Sequence, residues 1–123
     1  GVRAVTDVTG FALAGHGWEM AERSGCTFEI DTSMLPMYPG VLEAAQRGVR
    51  TGGDARNRTA VGTRVTLAEG VDVAYDIVAF DPQTSGGLLA AVDPAAVAGL
   101  TAPGSPFVVI GNVVAGTPGL RLV

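Results

Sequence analysis

The sequence predicts an α+β fold, a layered α/β domain. Three observations lead there. Residues 11–23 carry apolar side chains at helical spacing. Residues 26–30 alternate, and residues 88–92 and 107–114 are apolar runs of strand length. These strand-like and helix-like segments are interleaved, which favours a mixed architecture over all-α or all-β. With 123 residues, 47% of them hydrophobic, the whole of 1–123 reads as one domain. A chain of that size can form a core without staples.

Taken in order, Thr6, Asp7 and Thr9 stand before the first helix. Each can cap a helix N-terminus through a side-chain oxygen. Such an end attracts phosphates, and a carboxylate beside it suits Mg2+, a hard cation that bridges to phosphate oxygens. From these residues alone, a plain capped helix is the simpler reading. In the helix from Phe11 to Arg23, residues Phe11, Ala14, Trp18 and Ala21 share one face, and Gly25 stops it. Gly15 and Gly17 within it point to close backbone approach.

Residues 26–30 read as a strand, 31–39 as a loop, and 41–47 as a short helix closed by Gly48. Met34, Leu35, Met37 and Tyr38 are expected to pack beneath that helix. Residues 49–63 are polar and rich in glycine. All eight basic residues of the chain are arginines, and Arg47, Arg50, Arg56, Arg58 and Arg64 lie in or beside this segment. It reads as a solvated loop or as a basic flap over an anion.

Residues 65–67 form a weak strand, and 71–78 a helix or strand. Asp81-Pro-Gln-Thr-Ser-Gly-Gly87 is a turn. Its two glycines are expected to take positive φ and to aim consecutive N–H groups at an anion. A strand at 88–92 follows, then a helix at 94–100 capped by Asp93 with Pro94 at its first position. A turn at 102–106 leads to a buried strand at 107–114, and residues 120–123 read as an edge strand.

Several functions are excluded. The net charge of −4 and the pI of about 4.7 argue against nucleic-acid binding. Gly10-x4-Gly15-His16 has P-loop spacing but carries histidine where lysine is required. With a single cysteine, Cys26, and a single histidine, His16, the chain has neither an internal disulfide nor a structural zinc site. His16 reads as structural and Cys26 as a small buried hydrophobe. No apolar run is long enough for a membrane span and no leader opens the chain, so a cytoplasmic location is expected. Gly1-Val-Arg-Ala4 has no initiator methionine and reads as a cut within a longer protein. Such a piece should expose an apolar face where its companion sat.

Five motifs in order carry a resemblance. They are Thr6–His16 with Glu19-Met20-Ala21, Pro36-x2-Pro39-Gly40, Gly52-Gly53 with Asn57-Arg58, Asp81–Leu89, and Ile110-Gly111. Together they resemble the C-terminal domain of the selenophosphate synthetase (selenide, water dikinase) family, related to aminoimidazole ribonucleotide (AIR) synthetase. The resemblance covers nearly the whole chain. It departs at Ala12, where the family usually has glycine, a change that a helix should tolerate.

The resemblance implies a layered domain related to the ferredoxin-like fold. It also implies an N-terminal ATP-binding domain, absent from this chain, that forms homodimers and carries the reactive Cys or selenocysteine. The reaction implied converts ATP, selenide and water to selenophosphate, AMP and phosphate, with Mg2+. Asp7 matches the family's Mg2+ ligand. Asn57, Thr84, Ser85, Gly86 and Gly87 match recurrent family residues and, with Thr9 and Gly10, are expected to face phosphate or nucleotide. No residue of this chain is expected to be catalytic by itself. Two other readings stay open. One is a related ATP enzyme of the hydrogenase-maturation or thiamine-phosphate kinase type. The other is a stand-alone anion-binding or assembly domain.

Overall fold

Val2, Val5 and Thr6, all β-branched, favour a strand over Val2–Asp7, β1. In this computed structural model, which describes residues 1–123, β1 pairs antiparallel with β4, Leu88–Val92, and Asp7 stands opposite Leu88. The capping expectation for Thr6, Asp7 and Thr9 is therefore corrected. Helix α1, Ala12–Ser24, has Phe11 at its N-cap and no side-chain capping bond. Thr6 and Asp7 belong to the strand, and a turn at 8–11 separates them from the helix.

Ala12, the first residue of α1, is fully buried with φ of 65°. Left-handed backbone costs a residue with a Cβ about 1 kcal/mol. The methyl is thus not in a relaxed helix interior, as the sequence suggested, but on the bend that enters the helix. At the other end Gly25, with φ of 65°, closes α1 as expected. A Cβ on Gly17 would stand 3.0 Å from Leu120 Cδ1. The glycine lets α1 lie close on the sheet.

That sheet has the order β3 (Val65–Leu67), β6 (Gly119–Leu122), β2 (Thr27–Ile30), β5 (Gly111–Val114). β6 runs parallel to both neighbours, whereas β2 and β5 are antiparallel. The C-terminal strand is therefore interior rather than an edge. Leu120 and Leu122, 1% and 0% exposed, take it into the core beside Phe28, Ile30, Val61 and Phe80. The expected strand at 107–114 shrinks to β5, and Phe107, Val108 and Val109 are exposed.

Four further helices complete the layers: α2 (Val41–Gln46), α3 (Asp54–Val61), α4 (Val73–Phe80) and α5 (Pro94–Leu100). Asp72 caps α4 by accepting from Ala74 N at 2.9 Å. Asp93 precedes α5 but does not cap it. Its carboxylate accepts from Arg3 Nε at 2.8 Å, which holds it below the usual carboxylate range. Leu35 is buried, but in the main core with Phe28 and Ile30 rather than with Ala45 of α2, and Met34 and Tyr38 are exposed, so the expected packing beneath α2 is corrected.

The largest departure is α3, which replaces the expected loop at 49–63. Its buried face is Asp54, Asn57 and Val61, spaced i, i+3, i+7. Asp54 Oδ1 accepts from Arg58 Nε at 2.7 Å and from Arg50 Nη1 at 3.2 Å. Arg58 also donates from Nη1 to Asp76 Oδ2 and stacks 4.3 Å over the Phe80 ring. Arg64 lies 4.7 Å over Trp18. These three arginines are tied into the domain and form no flap. Burial pushes the Asp54 carboxyl up, but Arg58 and Arg50 more than offset this and hold it below the ordinary range.

Three outcomes follow from this packing. Leu120→Ala should lower unfolding free energy by about 3 kcal/mol in urea titration, through lost burial and a residual cavity. Ala12→Gly should raise it by about 1 kcal/mol. Folded Asp54 has the lower pKa, so the unfolded chain binds the extra proton. The stability from this pair is full above the free aspartate value of about 3.9 and is lost as pH falls through the depressed one. Asp54→Asn should flatten the acid limb of the stability curve below about pH 4.

Candidate phosphate and metal site

Two segments run side by side at one end of β1. Val8 N donates to Gly87 O at 2.8 Å, and Gln83 N donates to Thr9 O at 3.0 Å. Gly86 lies so close to the Val8 carbonyl oxygen that a Cβ there would collide with it. Sequence positions some 75 residues apart thus share one surface. Asp7, Gly10, Thr84, Ser85, Gly86 and Gly87 are all exposed on these segments.

The glycines act differently from expectation. Neither Gly86 nor Gly87 has positive φ, so the turn is not a nest of alternating handedness. Gly86 is required by close approach instead. Asp81 anchors the turn from inside. Its carboxylate accepts from Thr51 Oγ1 at 2.9 Å and from Gln83 Nε2 at 3.0 Å.

Thr9 is half-buried, and its hydroxyl meets His16 Nε2 at 2.9 Å. His16 Nδ1 lies 3.5 Å from Glu19 Oε2, and Phe11 packs edge-on against the ring at 5.8 Å. The histidine therefore serves as a support for Thr9. Asn57, the remaining candidate, is 7% exposed and sits behind the two segments. Its Nδ2 donates to Gly10 O at 3.1 Å and to Phe80 O at 3.3 Å.

Asp7 takes part in none of the ion pairs within the chain. Its exposed carboxylate is a hard oxygen donor of the kind Mg2+ accepts. No group of three or more His, Cys, Asp or Glu gathers as a metal cluster. Asp7 therefore fits one position of a Mg2+ shell whose other ligands would be phosphate oxygens or come from elsewhere.

Sequence reasoning missed Gln83, Asp81, Thr51 and the seat of Gly53 against Pro82, where a Cβ would collide. A signal for the helix behind them was present. Arg50, Asp54 and Arg58 recur at i, i+4, i+8, the spacing of helical ion pairs.

The second notable surface is apolar. A trough of about 1080 Å³ opens between the β1–β4 ribbon and residues 106–113. Val2, Val5, Leu88, Phe107, Val109 and Val113 line it, each of them an exposed large side chain. This is the kind of face expected of a domain with a companion. No helix is long and apolar enough to cross a membrane.

The sequence is similar to those of known proteins. A selenide, water dikinase of Nitratidesulfovibrio vulgaris is 50% identical over 91 residues, covering 74% of this chain and 26% of the relative. One from Pseudomonas straminea is 47% identical over 91 residues, with the same shares of 74% and 26%. One from Treponema denticola is 45% identical over 91 residues, or 74% of this chain and 25% of the relative. The chain thus spans about a quarter of the length of the curated relatives it matches. The family model described as AIR synthase related protein, C-terminal domain, matches residues 1–122. With its layered α+β architecture and a match along nearly its whole length, the chain belongs to the family of AIR synthase related C-terminal domains.

Proposed function

We propose that this domain is the C-terminal part of an ATP-dependent selenide, water dikinase, which makes selenophosphate, AMP and phosphate from ATP, selenide and water. The observation that carries the reading is the exposed Asp7 carboxylate held beside Thr84–Gly87 by the Val8–Gly87 hydrogen bond. The identity to relatives named selenide, water dikinase favours this enzyme over other AIR synthase related proteins.

In this reading Asp7 supplies one oxygen ligand to Mg2+. The Thr84 and Ser85 hydroxyls and the Gly86 and Gly87 backbone face phosphate oxygens, with Thr9 and Gly10 on the opposite segment. Charged acceptors make such hydrogen bonds strong. When bound, Mg2+ would offset the negative charge of the phosphates during phosphoryl transfer. No residue of this chain makes or breaks a bond in this scheme. The reacting groups belong to an N-terminal ATP-binding domain. We assign the apolar trough to contact with that domain, and place the full-length enzyme in the cytoplasm as a homodimer.

A single carboxylate is a poor Mg2+ site, because this ion demands octahedral geometry and several partners. Titration calorimetry of the 123-residue chain with Mg-ATP should therefore show no micromolar binding. In the full-length enzyme, Asp7→Asn should lower ATP turnover by on the order of 100-fold. Its melting temperature should hardly move, because Asp7 is exposed and unpaired. Turnover near that of the unaltered enzyme would refute the metal assignment.

A further inference from the structure

We infer that Asn57 is a positioning residue, which sets the spacing between the Thr9–Gly10 segment and the 81–87 turn without itself touching the nucleotide. The inference rests on the reading of that surface as the phosphate site. Its physical basis is one buried amide joining two backbones. The Gly10 carbonyl belongs to the segment that follows Asp7. The Phe80 carbonyl belongs to the last residue of α4, directly before the turn. Only an NH2 group can face two carbonyls, so the orientation of the amide is fixed by its surroundings. Both of its hydrogens are then engaged within the protein.

The helix that carries Asn57 is itself held. Arg58, the next residue, ties Asp54 to Asp76 and stacks on Phe80, so α3 is fixed relative to α4. One turn earlier, Gly53 lies flush against Pro82, inside the turn sequence. The front of the site has two links, Val8 to Gly87 and Gln83 to Thr9. Asn57 supplies a third from behind. A third link, made from a different element, restrains the relative placement of the two segments more than the two front bonds do. The Phe80 carbonyl is one of the unpaired carbonyls at the end of α4, so the amide satisfies that helix end in the same bond that reaches the turn. Misplacing groups that must converge on one ligand costs rate steeply, because the ligand then fails to meet all of them at once.

The test uses the full-length enzyme and compares Asn57→Ser with Leu120→Ala, a core change remote from the site in function. Both should lower the melting temperature. Asn57→Ser should raise the Mg2+ concentration for half-maximal ATP turnover about tenfold and lower kcat. It should also speed deuterium exchange in peptides covering residues 8–12 and 81–87. Leu120→Ala should leave the Mg2+ half-saturation within about twofold. If Asn57→Ser does not fold, Gly53→Ala pushes on Pro82 from the same helix and should give the same Mg2+ shift. Unchanged Mg2+ half-saturation in a folded Asn57→Ser or Gly53→Ala enzyme overturns the inference, provided Asp7→Asn is inactive. An active Asp7→Asn enzyme overturns the functional reading instead. Exchange at 8–12 and 81–87 no faster than in the unaltered enzyme would refute the clamp whatever the activity.

Discussion

The pairing of β1 with β4 determines where every candidate ligand group stands. Register places Asp7 opposite Leu88, and the next hydrogen bond, from Val8 N to Gly87 O, continues the ladder into the turn. A strand pair cannot slip by one residue without turning every side chain to the other face. The ladder therefore fixes which surface Asp7 occupies as well as what lies beside it. Gly86 follows from the same constraint. It is glycine because the Val8 carbonyl fills the space a Cβ would need, not because its backbone is unusual.

Behind this ladder the domain uses polar burial where a smaller core would use apolar packing. Asp54 and Asn57 are both nearly buried on α3. A buried carboxylate is unfavourable unless paired, and Asp54 has Arg58 and Arg50 on one oxygen while its other oxygen lacks a partner. Such a cluster is directional, unlike an apolar contact, so it fixes the rotation of the helix as well as its depth. This suits a helix whose neighbour is a site rather than a core.

Much of this was legible in the sequence, and the failures have a common physical cause. Helix α1, strands β2, β3 and β4, and helices α2 and α5 follow from periodicity and from Gly and Pro punctuation. That Asp7 and the 81–87 turn serve one site is implied by the family resemblance rather than by any local pattern. Helix α3 carries no apolar periodicity because two of its three inward residues, Asp54 and Asn57, are polar. Strand β1 was missed because its polar end, Thr6-Asp7, looks like a helix cap. Ala12 looked harmless because backbone handedness is not written in a single alanine. The interior place of β6 was hidden because a terminal apolar strand looks the same at an edge or a centre.

The interior place of β6 has a consequence for how the molecule is made. Residues 119–122 lie between β3 and β2, so the sheet has a gap at its middle until they arrive. In chain order they come after the other three strands of that sheet. Without β6, β2 keeps its pairing with β5 while β3 has no strand partner. Contacts between positions so distant along the chain are slow to form because loop closure precedes their reward. Docking of β6 is therefore the step that joins β3 to the β2–β5 pair and completes the four-stranded sheet.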